Sequence, residues 1–158
     1  MYLIRGQHNL KLFKSRHPNV LLSGTIGNFD GLHLGHQAIL EKIKNNAQKY
    51  NAKTIVFFTE PHAAEYFSKV RDKNQIPPPR ICPWREKFQL LKKSKIDFAC
   101  FLKFNSKLRT MSPDDFISQI LDSINLVSFT VGDDFRFGAG RKGAVSYTHL
   151  TLPTIYSV

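Results

Sequence analysis

The chain has 158 residues, 42% of them hydrophobic, and carries a formal net charge of +11. This length predicts one domain with a substantial core, and the hydrophobic content is ordinary for a globular protein. No apolar run approaches the length of a membrane span and the N-terminus lacks a signal-peptide block, so we expect a cytoplasmic protein with no membrane partner.

The basic excess predicts an anionic partner, such as nucleotide phosphates, nucleic acid or a membrane surface. The lysines are dispersed along the chain, so charge alone does not choose between these partners. The two cysteines, Cys82 and Cys100, form no CxxC pair. Free thiols in a reducing compartment are the simpler interpretation, and a single disulfide is the less favoured one.

Strand and helix patterns alternate from the start of the chain. We predict a short strand at 1–4, a loop with room for a short helix at 6–19, and a buried strand at 20–27. A helix follows from His36 to about Tyr50, and residues 53–59 are the β-branched and aromatic run of the next strand. The apolar face of that helix is formed by Ile39, Leu40, Ile43 and Ala47.

The second half of the chain repeats this alternation. After a polar stretch that ends in the prolines 77–79, we predict a helix at 84–93, a strand at 97–104, a helix capped by Ser112, and a strand at 126–131. The two helices would bury Phe88, Leu90 and Leu91, and Phe116, Ile117, Ile120 and Leu121, respectively. Such alternation predicts an α/β fold, a Rossmann-like parallel sheet with helices on both faces.

The turn after the first buried strand carries the chemistry. Between Gly27 and the helix lie His33 and His36, three residues apart, with Gly35 between them. A glycine-rich turn at a helix N-terminus favours a phosphate, and two imidazoles there suit the charge that develops in nucleotidyl transfer. The same pair could instead ligate zinc, with His62 as a third ligand, or could be two surface histidines.

The last residues do not follow the pattern of the rest. From Val145 onward there is no Lys, Arg, Asp or Glu, although 22% of the chain is charged. The run VSYTHLTLPT resembles a translated sequencing adapter. We therefore expect residues 1–144 to be an incomplete, C-terminally truncated domain and residues 145–158 to be a non-native tail, excluded from the fold prediction.

Four segments in order resemble one enzyme family. GNFDGLHLGH resembles the HxGH signature of nucleotidylyltransferases, in the form found in bacterial bifunctional riboflavin kinase/FAD synthetases. The segments FTEPH (58–62), PRI with REK (79–81 and 85–87) and VGDDFRFG with GRKG (131–138 and 140–143) are similar to that family's later motifs. The chain departs from the family in having Ala63 where a second proline is usual, and it lacks the later Ser-Ser-Thr-x-x-Arg segment.

The resemblance implies an FMN adenylyltransferase, which transfers AMP from ATP to FMN and releases FAD and pyrophosphate. The longer parent would also phosphorylate riboflavin, and the present fragment would be inactive or weakly active. ATP and FMN are the implied partners and Mg²⁺ the implied cofactor, carried with ATP, with no metal held by the protein and no nucleic acid bound. The alternatives are a related transferase with another phosphate acceptor and a basic nucleic-acid-binding module.

The resemblance also assigns roles to residues. His33 and His36 would be catalytic, and Gly27, Asn28, Phe29 and Gly35 would bind ATP. Asp134, Phe135 and Arg136 would form part of the flavin and nucleotide site, with Pro61 and His62 on the flavin side. Core packing is an equal alternative for Phe135 and Phe137, structural support is one for Pro61 and His62, and a solvated loop is slightly favoured for Arg141 and Lys142. Asp30 could orient a histidine or cap its own turn.

Overall fold

The computed structural model describes residues 1–71, 76, 79–132, 135–144 and 155–157. The strands in these ranges are β1 (Tyr2–Arg5), β2 (Leu22–Ile26), β3 (Lys53–Glu60), β4 (Phe98–Lys103), β5 (Leu126–Val131), β6 (Arg136–Phe137), β7 (Gly143–Ala144) and β8 (Ile155–Ser157). One sheet has the order β1-β4-β3-β2-β5-β8 with every neighbouring pair parallel, and β6 and β7 form a separate antiparallel pair. The predicted parallel α/β sheet is therefore confirmed.

The helices alternate with these strands. They are α1 (His8–Arg16), α2 (Leu34–Lys49), α3 (Ala63–Arg71), α4 (Trp84–Lys93), α5 (Ser106–Thr110) and α6 (Pro113–Phe116), which continues into a π-helical turn at Ile117–Leu121. Ser112 caps α6 as predicted, since its Oγ accepts the Asp115 N–H at 3.1 Å. A short 3-10 turn, Ala139–Arg141, precedes β7. In the described part of the chain no helix is both long and apolar enough to cross a bilayer.

Two helices lie where the sequence pattern predicted none. The polar stretch before the prolines 77–79 was assigned no element, so α3 was missed, and α5 was missed as well. Each begins at a side chain that accepts a backbone N–H: His62 Nδ1 accepts that of Ala64 at 3.1 Å, and Asn105 Oδ1 accepts that of Leu108 at 3.0 Å. Such caps stabilise short helices that have too few apolar residues for a periodic signal.

A hydrophobic core lies on each face of the sheet. Successive residues of β3 point to opposite faces, so Ile55 and Phe57 pack on the side of α1 and α6, and Val56 and Phe58 pack on the side of α2 and α4. All four side chains are fully buried. This division confirms helices on both faces.

The helix faces agree with the prediction, with one exception. Leu40, Ile43 and Ala47 are buried and Ile39 is half-buried on α2, and the four apolar residues predicted for α6 and its π-helical turn are all buried. On α4, Leu91 is buried as predicted, whereas Phe88 and Leu90 are only half-buried. The exception is Lys87, which is also buried there.

The C-terminal segment contributes an edge strand. Strand β8 pairs in parallel with β5, with Phe129 opposite Ile155 and Val131 opposite Ser157. Residues 145–158 were excluded from the fold prediction, so this pairing was not anticipated. The non-native origin of the tail and the boundary at residue 144 stay predictions.

The strand order brings the predicted motifs to one edge of the sheet. Strand β2 lies between β3 and β5 in the sheet. The chain continues from β2 to β3 on one side, and after β4 it returns to form β5 on the other side of β2. Parallel strands place their carboxyl ends together. Those of β2 and β3 lead into residues 27–36 and 61–62, and that of β5 leads to Gly132, with residues 135–138 following along the chain. Ligands of open α/β sheets bind at such a switch point.

Candidate functional site

The two histidines of the β2–α2 turn form a stacked pair. Their ring centroids are 3.7 Å apart and their planes differ by 26°. His33 is the N-cap of α2, and its Nδ1 accepts the N–H of His36 at 3.4 Å. His36 Nδ1 lies 2.8 Å from the carbonyl oxygen of Gly31, which can only accept, so this nitrogen carries a proton.

These bonds assign the tautomers of the pair. Because His33 Nδ1 accepts, its proton is on Nε2, which can donate to a ligand. Neutral His36 has its proton on Nδ1, so its Nε2 is an acceptor and becomes a donor only when the ring takes up a second proton. Burial lowers the pKa of His36 and outweighs the Gly31 carbonyl, and the charges of His33 and Lys87 lower the pKa further.

The buried phenyl ring of Phe29 packs against the imidazole ring of His36. Phe29 is fully buried, and its ring centroid lies 4.7 Å from that of His36. Gly27 gives this ring its room, since a Cβ there would lie 3.1 Å from Phe29 Cε2. The Phe29 side chain therefore packs in the core, which leaves only its backbone for a ligand, whereas Asn28 beside it is exposed.

Gly35 leaves room for His33 to fold over the start of the helix. A Cβ at Gly35 would lie 3.3 Å from His33 Cε1 and Nδ1, closer than ordinary van der Waals contact. The residue is exposed on its other side. The absent side chain therefore allows the stacked arrangement of the two rings.

Asp30 connects this turn to the loop before α4. Its carboxylate accepts the N–H of Ile81 at 3.1 Å and that of Cys82 at 2.8 Å. Burial raises the pKa of Asp30, but the two N–H donors and the charge of Lys87 outweigh it and lower the pKa overall. In the described contacts Asp30 thus joins two segments, a role that was not among those predicted for it.

Cys82 and Cys100 are both buried free thiols, as predicted.

The turn after β3 places His62 at the start of α3. The Glu60–Pro61 peptide bond is cis, and His62 is half-buried with its Nδ1 engaged by the Ala64 N–H. Burial, then the charge of Lys87, lowers the pKa of His62.

Ala63, where the family usually has proline, is the first residue of α3, a position at which either residue fits. Within the described ranges, no three His, Cys, Asp or Glu side chains are placed to hold a metal ion.

Arg80 is held by two glutamates. Its Nη1 and Nη2 donate to the Glu60 carboxylate at 3.0 and 2.7 Å, and its Nε and Nη2 donate to that of Glu65. The hydrogen bond from Arg80 lowers the pKa of Glu65, and the two carboxylates raise the pKa of Arg80. The guanidinium is therefore committed to this network, which connects β3, α3 and the loop before α4.

The turn after β5 carries two stacked aromatic side chains. Asp134 lies outside the described residues. Phe135 is half-buried and its ring stacks on that of Phe137, with centroids 5.6 Å apart and planes 16° apart. Phe137 is buried against Phe116, so it belongs to the core, whereas Arg136 is exposed and its Nη1 donates to the Phe135 carbonyl oxygen at 2.9 Å.

The sequence singled out His33, His36 and residues 60–62 as candidates, and their functional roles stay predictions, whereas it did not single out Lys87. Its segment was noticed as part of a family motif, with no role attached. A lysine among Arg85, Glu86 and Lys92 on a helix is typical of a solvated face, and nothing in the spacing marks it as buried. Arg141 and Lys142, by contrast, are exposed as the solvated-loop interpretation predicts.

Comparison with known proteins gives one family and several relatives. The model of the FAD synthetase family matches residues 15–152. Among curated proteins, the chain is 40% identical over 144 residues to the bifunctional riboflavin kinase/FMN adenylyltransferase of Escherichia coli K12, covering 90% of this chain and 43% of that protein. The proteins of the same description from Buchnera aphidicola (Schizaphis graminum) and Haemophilus influenzae are 38% and 37% identical over 147 residues, covering 92% and 90% of this chain and 44% of each relative.

A solved structure shares the fold. The crystal structure of a macrolide-efflux protein from Streptococcus pneumoniae superposes with a TM-score of 0.74 at 18% identity, covering 100% of this chain and 50% of that one. At this identity the likeness extends to the fold alone. The chain spans less than half the length of the curated relatives that it matches.

Proposed function

Because the chain belongs to the FAD synthetase family, we propose that it transfers AMP from ATP to FMN, giving FAD and pyrophosphate. In this proposal residues 1–144 are the adenylyltransferase part of a longer protein that also phosphorylates riboflavin. Support comes from the family match over residues 15–152 and from the 44% of the Buchnera relative that the chain spans. The protein would act in the cytoplasm, with ATP and FMN as its ligands and without nucleic acid.

The observation that carries the proposal is the stacked histidine pair at the N-terminus of a 16-residue helix. Helix N-termini favour anions because their first N–H groups are unpaired and aligned with the dipole. We place the α-phosphate of ATP at this end of α2, within reach of both Nε2 atoms. The exposed backbone at Asn28 and Gly35 would let the remaining phosphates approach the turn, with Gly27, which is half-buried, at its start.

The reaction needs orientation and charge stabilisation more than proton transfer. An oxygen of the FMN phosphate, already ionised near neutral pH, attacks the α-phosphorus of ATP. A new P–O bond forms between the two phosphates while the bond to the β-phosphate breaks, and the electron pair leaves with pyrophosphate. His33 donates from Nε2 to a non-bridging oxygen, and His36 does so once it is protonated, which stabilises the growing negative charge.

FMN would bind beside this turn, over the neighbouring strands. The segments after β3 and β5 flank β2, and we assign Pro61, His62, Phe135 and Arg136, with Asp134, to the flavin side. The stacked ring of Phe135 and the exposed guanidinium of Arg136 suit an aromatic, phosphorylated ligand.

The described residues offer Mg²⁺ no dedicated cage. Both carboxylate oxygens of Asp30 are engaged by backbone N–H groups, and among the residues that the structure describes no three acidic, histidine or cysteine side chains are placed to hold a metal ion. This suits an ion that enters on the ATP phosphates, as Mg²⁺ commonly does, where it would neutralise charge on the departing pyrophosphate. The residues of the chain would then hold the phosphates rather than the metal.

Equilibrium titration of the 158-residue chain tests this proposal against its alternatives. We expect saturable binding of ATP and of FMN, with no saturable binding of phosphopantetheine. Preference for phosphopantetheine over FMN would instead indicate a related transferase with another acceptor. Tight, salt-sensitive binding of RNA or DNA without affinity for ATP would indicate a nucleic-acid-binding module.

Turnover by this chain is a separate matter. The Ser-Ser-Thr-x-x-Arg segment of the family, which helps hold ATP, is absent from the sequence. We therefore expect little or no FMN adenylylation by the 158-residue chain even where it binds ATP. Rapid FAD formation by it would show that the segment is dispensable.

A further inference from the structure

Lys87 is a buried cation without an anionic partner in the described structure. Only 4% of the residue is exposed, although lysines are almost never buried unless they are paired. Its Nζ lies 5.1 Å from the centroid of the Phe58 ring. Among the described residues, no carboxylate forms an ion pair with it. An isolated buried charge disfavours folding, so its presence calls for a reason other than stability.

The nearby carboxylates are already engaged. Glu60 and Glu65 both accept from Arg80, and Asp30 accepts two backbone N–H groups. Arg80 is therefore neutralised in place, whereas Lys87 keeps its hydrogen-bonding capacity. Burial lowers the pKa of Lys87, although Glu60 and Asp30 oppose this effect.

The lysine faces a cleft beside the histidine turn. The cleft has a volume of about 170 Å³ and is lined by Asp30, His62, Arg80 and Lys87, among others. Pockets that hold whole ligands measure roughly 300–1,000 Å³, so this cleft fits one charged group rather than a complete nucleotide. Lys87 and His62 line this cleft together, and the positive charge of Lys87 lowers the pKa of both His36 and His62.

We propose that Lys87 binds the 5′-phosphate of FMN in this cleft and presents it to the α-phosphate of ATP at the histidine pair. The assignment rests on the proposed function. Asp30 belongs to the histidine turn and also lines the cleft, so a phosphate at Lys87 would lie beside the turn that leads to the start of α2, the side from which the attack would come. The three donors of an ammonium suit a phosphate monoester, and the pairing compensates a charge that the free protein leaves buried.

Flavin binding by the complete 158-residue chain tests this assignment. FMN and riboflavin differ only in the phosphate, so Lys87→Met should weaken FMN binding about tenfold or more while riboflavin binding changes less than about twofold. ATP affinity should also change less than about twofold. The variant should melt at the same temperature as the wild type or higher, because the isolated buried charge is gone. Lys92→Met, at an exposed position of the same helix, is the matched control and should leave all three affinities unchanged.

The other outcomes separate the claims. If Lys87→Met weakens FMN and riboflavin binding equally, Lys87 has a packing role. If it weakens ATP binding alone, Lys87 contacts the nucleotide phosphates. Either result overturns the inference and leaves the proposed function standing. If Lys87→Met does not fold, flavin binding by the wild-type chain tests the inference instead. Inorganic phosphate should compete with FMN for binding and should not compete with riboflavin. Equal affinity of the wild type for both flavins would contradict the inference. Failure of the wild type to bind either flavin would overturn the proposed function itself.

Discussion

The substitution Gly35→Ala separates stability from ligand binding. Gly35 is exposed in the first turn of α2, and alanine is favoured over glycine in helices. Considered alone, this change should stabilise the fold by about 0.5 kcal/mol at the end of a helix and raise the melting temperature by about 1–2 °C. An account based on stability would predict an improved protein.

The geometry of the histidine pair predicts that the same substitution weakens ATP binding. The new Cβ would lie 3.3 Å from His33 Cε1 and Nδ1, so the imidazole must move by a few tenths of an ångström and loses its stacking on His36. His33 Nε2 then no longer faces the position of the α-phosphate. A weakened charge-assisted hydrogen bond of this kind should raise the Kd for ATP about tenfold.

Isothermal titration calorimetry with Mg-ATP and thermal denaturation measure the two effects on one sample. Asn45→Ala is the matched control, because Asn45 is exposed on the same helix and alanine is again the better helix former. It should raise the melting temperature and leave ATP binding unchanged. Unaltered ATP affinity in Gly35→Ala would refute the role given to the position of His33.

Three further predictions concern the site, the core and the gene. At pH 7.0 ATP binding should take up protons, because burial lowers the pKa of His36 in the free protein and a phosphate raises it. Calorimetry in buffers of different ionisation enthalpy measures this uptake, which His36→Gln should abolish and whose persistence there would contradict the assignment. Thr25→Val should raise the melting temperature by about 2–4 °C, because the buried Thr25 hydroxyl has no hydrogen-bond partner among the described residues, and a lower melting temperature would indicate a hidden partner. Sequencing the gene beyond the Gly143 codon should reveal the Ser-Ser-Thr-x-x-Arg segment and a kinase domain, and a stop codon directly after that codon would argue against the longer parent.

Much of the fold was predictable because its longer strands and helices have recognisable hydrophobic patterns in the sequence. Residues 53–59 and 126–131 are apolar runs of strand length, and both are central strands of the sheet. Helix α2 has apolar residues at helical spacing. Short elements such as α5 depend on a single cap at Asn105 and carry no such period, so the sequence did not reveal them.

The geometry of the candidate site was predictable where backbone chemistry and motif coincide, and its function stays a prediction. A glycine-rich turn before a helix indicates an anion site from elementary geometry, and His33 and His36 stood in it. The environment of Lys87 depends on how α4 approaches β3, which is a tertiary contact that no local pattern records. The same holds for Asp30, whose partners at Ile81 and Cys82 lie more than 50 residues away along the chain.

FAD formation in the longer parent protein tests the central claim most directly. Chromatography would follow FAD made from ATP and FMN, and the same preparation would be assayed for riboflavin phosphorylation as a control for folding. We expect one pyrophosphate per FAD, and His33→Ala and His36→Ala should each slow FAD formation about 100-fold or more while riboflavin phosphorylation stays within about twofold. Undiminished FAD synthesis in both variants would contradict the assignment of the histidine turn as the site of adenylyl transfer.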